Sequence, residues 1–395
     1  MSEIRDSSNQ PIYSTGGVGF GSNAPYKRIV AKAGTNVLTG GTDHLDKSVI
    51  TQLVSQVVEL QQQGVQVIIV TSGAVASGRQ LLDQVLQGKR DEPSRQVQAA
   101  VGQSRLMHAY EAGFDLYGVA TAQALVSRGD LDDRMGYLNV RNTLLELLDL
   151  RVVPIVNEND VVAVEELMGE SFGDNDALSA MIANLVDADL LVLLTDTEGL
   201  YTSDPDQDST ATLIKRVARV DAKIEALAGN YSYSRGRGGM PTKLQAAKLA
   251  NSFGVAVVIA DGRKSDTLLQ ASRGQDVGTL FVPTSPKIES RKRWMLSGLS
   301  IRGEISIDMG AADALRRESS SLLPAGIQKV KGEFQRGDIV ALSDVVGARV
   351  ACGITNYSSW EIDIIKGAQS GHIEERLGYQ YGQEVVHRNN MVLAE

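Results

Sequence analysis

The first 260 residues alternate two kinds of apolar segment, and this alternation restricts the fold more than any other feature of the chain. Short apolar runs stand at 28–32, 65–70 (Val-Gln-Val-Ile-Ile-Val), 117–125, 151–156, 190–194 and 255–259. Segments 46–63, 96–112, 132–148 and 240–253 instead carry apolar residues at helical spacing. In the first of these Val49, Ile50, Leu53, Val54, Val57 and Val58 share one face. A strand that is apolar along its whole length needs cover on both faces, and helices between consecutive strands supply it. The pattern predicts an α/β fold of three layers, αβα, with a mostly parallel central sheet. Ligands of such sheets bind just beyond the carboxyl ends of the strands, so the residues following each run are the first candidates for function.

The pattern changes after residue 262. Residues 263–295 read as a connection, with scattered Gly and Pro and the basic run Arg291-Lys292-Arg293-Trp294. Strand-like runs at 303–308, 338–342, 349–354 and 385–391, with helical stretches at 311–317 and 360–366, predict a small β-rich domain over 296–390. The main domain spans 27–262. Residues 1–26 are polar and rich in Gly, Ser and Asn, and predict a disordered extension without the pattern of a signal peptide. No apolar stretch reaches the roughly 18 to 20 residues of a membrane span. Cys352 is the only cysteine, which leaves no intramolecular disulfide and no cysteine-based metal site. These features place the expected protein in the cytoplasm, off the membrane. The net charge is −9, and all of it lies in residues 1–290, because 291–395 carry 13 basic and 13 acidic side chains. An acidic body argues against general nucleic-acid binding.

Several polar motifs carry candidate chemistry. Lys32-Ala33-Gly34-Thr35 follows the first strand, where glycine admits a phosphate to the backbone and Lys32 supplies a cation. Thr71-Ser72-Gly73-Ala74 opens a helix whose backbone N–H groups can receive an anion, or which Ser72 merely caps. Asn157-Glu158-Asn159-Asp160 is a polar loop or a cluster of acceptors for an ammonium group. Asp174-Asn175-Asp176 stands at the start of a helix continued by Leu178, Met181, Ile182 and Leu185. These residues can cap that helix, hold nearby lysines charged, or ligate magnesium. Thr195-Asp196 ends a buried strand and leads into turns at Gly199 and Pro205, a surface turn or a nucleotide loop. Arg237-Gly238-Gly239-Met240-Pro241-Thr242-Lys243 is a glycine-rich loop opening a helix, with Pro241 suited to the first turn and Lys243 able to reach a phosphate. Acids set among lysines suit phosphoryl transfer, where positioning and charge neutralisation do most of the work.

In order, the segments KAGTNVLTGG, IVTSGAVASGR, AAVGQSRL, VPIVNENDVVA, GDNDALSA, LLTDTEGLYTSDP and GGMPTKLQAA resemble the amino-acid kinase family, over roughly 27–390. Within that family they are similar to the members that phosphorylate free glutamate. The tail, with RKRW, GEISIDMGA, SSLLPAGI and GYQYGQEVVHRNNM, resembles a PUA domain. The resemblance implies ATP-dependent phosphorylation of the γ-carboxylate of L-glutamate, with Mg²⁺, as the first step of proline biosynthesis. It implies Lys32 and Lys243 at the transferring phosphoryl group and Asp176 orienting both. It implies Ser72, Asp160 and Asn175 at glutamate with Asp174 close by, and Thr195, Asp196 and Arg237, Gly238, Gly239, Met240, Pro241, Thr242 and Lys243 at ATP. No side-chain metal ligand is assigned. Feedback inhibition by proline, a homo-oligomer (a tetramer) and a γ-glutamyl phosphate reductase as recipient of the product are implied as well. Ala33, Asn36, Arg237 and Pro241 depart from the usual pattern, and residues 1–26 precede a typical start. Aspartate, N-acetylglutamate, carbamate or a nucleotide are the rival acceptors within the fold, and the NEND and GDND pair favours glutamate. A primary role in RNA binding through the tail is disfavoured by its neutral charge.

Overall fold

The computed structural model describes residues 3–5, 11–14, 26–86, 91–162, 175–229, 239–283, 301–318 and 320–394. The chain divides into two compact units, residues 1–131 with 140–286, and 132–139 with 287–395.

The first unit is built on a ten-stranded sheet. In chain order its strands are β1 (Glu3–Arg5), β2 (Pro11–Ser14), β3 (Arg28–Ala33), β4 (Gln66–Thr71), β5 (Thr121–Val126), β6 (Val153–Glu158), β7 (Leu190–Thr195), β8 (Arg216–Val217), β9 (Ala256–Asp261) and β10 (Thr279–Phe281). Their spatial order is β1-β2-β8-β10-β9-β7-β3-β4-β6-β5. The six strands from β9 to β5 pair in parallel. Strand β10 joins β9 antiparallel, and β1 and β2 extend the far edge beyond β8. Every residue of β7 and β9 is buried, as continuous apolar runs require. Helices α1 (Thr35–Leu38), α2 (Lys47–Gln62), α3 (Ala74–Leu86), α4 (Glu92–Asp115), α5 (Arg128–Asp132), α6 (Arg134–Asp149), α7 (Asn175–Leu185), α8 (Ala222–Gly229), α9 (Met240–Ser252) and α10 (Thr267–Ser272) connect the strands. One core joins Ile29, Ala31, Ile69, Ile155 and Val192 of the sheet to Val54, Val57, Leu106, Tyr110 and Phe114 of α2 and α4.

Helices α3 and α4 meet through two glycines. A Cβ at Gly102 would fall 1.8 Å from the Ala74 carbonyl oxygen, and one at Gly78 would fall 1.8 Å from that of Gln98. Contact that close is possible only without side chains, so α4 is held in a fixed place against the segment that follows β4.

The structure revises some sequence expectations. Part of the stretch 263–295 is not a connection, since α10 and β10 belong to the first unit. Leu268, Leu269 and Ala271 bury against the core, but six residues of helix and three of strand are too short to give a periodic signal. Strand β5 starts at Thr121, four residues later than expected, because Tyr117 and Gly118 (φ +66°) form the turn that leaves α4.

The second unit carries a five-stranded sheet of β11 (Gly303–Ile307), β12 (Ile327–Lys331), β13 (Ile339–Ser343), β14 (Arg349–Ile354) and β15 (Met391–Leu393), in the order β12-β11-β13-β14-β15. Ile305, Ile307, Leu315, Phe334, Leu342, Tyr357 and Ile362 form its core. Strand β12 was not evident in the sequence because it lies at the sheet edge, where Gln328, Lys329 and Lys331 face solvent. The strand expected over 385–391 is instead Met391–Leu393, and Val386 makes an isolated bridge to Leu322.

Candidate active site

Three elements of the first unit bring charged groups to one point. Lys32 is the fifth residue of β3, in register with Val70 of β4 and Leu193 of β7, and is only 3 % exposed. Asp176 is in the first turn of α7 and fully buried. Lys243 is in the first turn of α9, behind Gly239 as the N-cap residue and Pro241 at the helix start. Lys32 Nζ stands 2.5 Å from Asp176 Oδ1, and Lys243 Nζ stands 3.1 Å from Oδ2. Thr242 Oγ1 adds a contact of 3.1 Å to the same Oδ2. Burial alone would raise the pKa of Asp176, but the charges of Lys32 and Lys243 and their hydrogen bonds outweigh it and hold the carboxyl well below the usual range. The centre is thus two ammonium groups bridged by one carboxylate, with a net charge of +1, at the amino ends of two helices. Helix amino ends favour anions. A Cβ on Gly34 would lie 3.5 Å from Lys32 Nζ, so the glycine keeps that side of the ammonium open.

A second, uncharged cluster adjoins this centre through Asn175. Its Nδ2 donates to the Thr71 carbonyl (2.7 Å), to Ser72 Oγ (2.9 Å) and to Asn157 Oδ1 (3.1 Å). Asn157 Nδ2 donates in turn to Gln103 Oε1 on α4 (2.8 Å). Thr71 Oγ1 pairs with the buried Tyr110 hydroxyl at 2.9 Å, which ties α4 to the end of β4. The Ser72 N–H binds the Ala33 carbonyl (3.2 Å), so the ends of β3 and β4 stay in register beyond the strands. Ser72 is therefore engaged by Asn175, and Gly73 at φ +102° makes the sharp turn into α3 that a side chain would strain.

Asp160 lies in the turn after β6. Burial raises its pKa to about 6, with Arg95 opposing the shift and Glu92 adding to it. No contact links Asp160 directly to Asn175 among the described hydrogen bonds.

Beyond β7, Thr195 Oγ1 donates to Asp196 Oδ1 (3.1 Å) and Asn36 Nδ2 donates to Asp196 Oδ2 (2.9 Å). Arg263 makes two 2.9 Å hydrogen bonds to Asp261 at the end of β9 and a third to the Asp196 carbonyl. Thr195 and Asp196 thus sit at a strand end braced by Asn36 and Arg263. Asp174, Arg237 and Gly238 lie outside the described residues. Among the described residues no group of three or more His, Cys, Asp or Glu side chains could hold a metal ion.

Residues 27–261 match the amino acid kinase family, and residues 303–377 match the PUA domain. A glutamate 5-kinase of Dehalococcoides mccartyi (strain CBDB1) is 50 % identical over 368 residues, which cover 93 % of this chain and 98 % of that one. Those of Herpetosiphon aurantiacus and of Geobacter sp. (strain M21) are each 47 % identical over 367 residues, covering 93 % of this chain and 98 % and 97 % of theirs. The chain belongs to the amino acid kinase family, among its glutamate 5-kinases.

The structure brings Lys32, Asp176 and Lys243 together and joins Ser72 to Asn175. Nothing in the sequence marked Asn157 and Gln103 as partners of Asn175, or Asn36 and Arg263 as braces of Asp196. Asn157 was singled out in the loop after its strand but without this partner, and Arg263, two residues past the end of β9, could have been found by inspecting every strand end. Gln103 had no such signal, because it stands mid-helix.

Proposed function

We propose that this protein transfers the γ-phosphoryl group of ATP to the γ-carboxylate of L-glutamate, forming L-glutamyl 5-phosphate and ADP as the first step of proline biosynthesis. The observation that carries the mechanism is the Lys32–Asp176–Lys243 bridge beside the Asn175 cluster, in a chain that matches glutamate 5-kinases along nearly their whole length.

The γ-carboxylate is ionised at neutral pH, so an oxygen of it attacks the γ-phosphorus without a general base. The P–O bond to ADP breaks, its electron pair stays on the ADP oxygen, and no proton moves. What the reaction needs is in-line placement and compensation of charge on the equatorial phosphoryl oxygens. Lys32 and Lys243 supply two cations from opposite supports, a strand end and a helix start. Asp176 positions both ammonium groups without touching the substrate. Ser72, Asn175, Asp160 and Asp174 hold glutamate. Thr195, Asp196 and the segment from Arg237 to Lys243 hold the nucleotide. Asp176 is engaged by both lysines, so magnesium fits as an ion carried by the phosphates of ATP.

Three further elements rest on the family alone: inhibition by proline at the glutamate site, assembly as a homotetramer, and delivery of the acyl phosphate to a reductase. A cytoplasmic location is part of the same reading; among the described residues no helix is long and apolar enough to cross a membrane. An ADP-release assay with glutamate, aspartate, N-acetylglutamate, carbamate and UMP tests the substrate. The reading requires glutamate to exceed the others in kcat/KM by at least about 100-fold, and preference for any other acceptor overturns it.

A further inference from the structure

The amide cluster around Asn175 ends in two buried atoms with no hydrogen-bond partner among the described residues. These are Asn175 Oδ1, an acceptor, and Gln103 Nε2, a donor. Buried polar atoms are nearly always satisfied, so an orphan donor and an orphan acceptor in one network point to a ligand that completes both.

Which atom of each amide faces which way follows from one backbone group. The Thr71 carbonyl can only accept, so the Asn175 group 2.7 Å away is its NH₂. The same NH₂ meets Asn157 at 3.1 Å, which makes the facing Asn157 atom its oxygen. The Asn157 NH₂ then points at Gln103, which answers with Oε1 at 2.8 Å. Three amides in series are thereby oriented, and the series leaves Oδ1 of Asn175 and Nε2 of Gln103 over. The placement of Gln103 is equally constrained. Its neighbour Gly102 is in backbone contact with α3, and Tyr110, two turns on, is hydrogen-bonded to Thr71.

The strand order gives the cluster a direction. Lys32 is on β3 and Asn157 on β6, with β4 between them. Two strand spacings are roughly 10 Å. A five-carbon dicarboxylate, about 5 Å between its end carbons when extended, bridges that span with a hydrogen bond at each end.

We infer that Gln103 is a specificity-determining residue of the amino-acid site, its Nε2 donating to the α-carboxylate of glutamate while Asn175 Oδ1 accepts from the α-ammonium. This inference rests on the glutamate-kinase reading above. The γ-carboxylate lies at the lysine end, and the α-carbon and its two charged groups lie at the amide end. The site selects an α-amino acid with a second carboxylate at the distance of Lys32, without spending a charged side chain on the α-carboxylate.

The test is Gln103→Glu in the full chain. The variant keeps an oxygen to accept from Asn157 and replaces the orphan donor by a carboxylate. The measurement is kcat/KM for glutamate and for its α-amide, isoglutamine, which exchanges the α-carboxylate for a carboxamide. The wild-type chain is expected to prefer glutamate, and the variant is expected to move that ratio by at least about 100-fold toward the α-amide. The KM for ATP should stay within about twofold. Gln103→Leu serves as a second variant, with the preference reduced to about threefold or less. A role in packing alone would lower both substrates together and leave the ratio unchanged, and that result overturns the inference. A wild-type chain that does not phosphorylate glutamate overturns the kinase reading instead, so the two failures are distinguishable.

Discussion

Replacing Asp176 by Asn removes the one carboxylate between two buried ammonium groups and leaves the shape of the site unchanged. At 2.5 and 3.1 Å, the two contacts are worth about 7 and 5 kcal/mol of gross Coulomb attraction at an effective dielectric constant of about 20. Desolvation of the three groups already offsets part of this in the native chain, so the net loss is smaller. It is also bounded from above. At pH 7 a stranded lysine can escape by releasing its proton, which costs about 5 kcal/mol from an unperturbed pKa near 10.4. Broken buried pairs lose about 3–5 kcal/mol by experiment, and the bound agrees. We therefore expect Asp176→Asn to destabilise the kinase domain by about 3–5 kcal/mol at pH 7. In the variant the folded-state pKa of a lysine falls below its unfolded value, so the folded variant binds fewer protons and gains stability as pH rises. The gap to wild type should narrow by about 1 kcal/mol or more per pH unit between pH 8 and 10. Urea unfolding of both chains across that range, following the transition that ATP shifts upward, measures it. A loss below about 1 kcal/mol at pH 7, or a gap that does not change with pH, would refute the reasoning.

Five other outcomes follow from the same structure. Lys243→Met should lower kcat by at least about 100-fold, since it removes a cation from the transferring phosphoryl group; single-turnover ADP release measures this against Thr242→Val, which should lose far less. Asp160, with its pKa raised to about 6, should lose its charge as pH falls, so kcat/KM for glutamate should drop below that pH, and Asp160→Asn should remove this limb of the pH profile. The same raised pKa means that ionised Asp160 weakens the fold: its stabilising, protonated form is complete below about pH 4 and is lost as pH rises through about 6, so Asp160→Asn should raise the ligand-free melting temperature at pH 8 and not at pH 4. Gly102→Ala forces a Cβ to within 1.8 Å of the Ala74 carbonyl oxygen, so it should destabilise the chain by about 2 kcal/mol or more and raise the KM for glutamate through displacement of Gln103, both read by thermal unfolding and kinetics on one preparation. In the second unit Ser358 and Glu361 form a reciprocal capping box, and Ser358→Ala should cost about 1 kcal/mol there while the kinetics of phosphoryl transfer stay unchanged.

The layered α/β fold was legible because fully buried strands such as Leu190–Thr195 leave an uninterrupted apolar run, and helices such as Lys47–Gln62 a periodic one. Lys32 and Thr195 stand out on strands, and Asp176 and Lys243 at helix starts, as polar residues in an otherwise apolar pattern, but that Asp176 joins the two lysines was implied only by the family resemblance. What stayed hidden depends on contacts distant in sequence. Gln103 meets Asn157 across 54 residues, and Arg263 meets Asp196 across 67. Neither pairing leaves a local trace. Strand β12 was hidden for the opposite reason, since an edge strand with two exposed lysines carries too little apolar character to announce itself. Asn36 is tied to Asp196 Oδ2 by a hydrogen bond across 160 residues, a pairing of the same long-range kind.

The central claim is that an oxygen of the γ-carboxylate of glutamate attacks phosphorus at the Lys32–Asp176–Lys243 centre. It is tested most directly with glutamate labelled with ¹⁸O in the γ-carboxylate, in the presence of ATP and hydroxylamine. Hydroxylamine cleaves the acyl phosphate at carbon, so the bridging oxygen leaves with phosphate. The account predicts one ¹⁸O in each phosphate released, an equal amount of γ-glutamyl hydroxamate, and loss of both products in Lys243→Met. Phosphate free of label, or labelled phosphate produced undiminished by Lys243→Met, would contradict it.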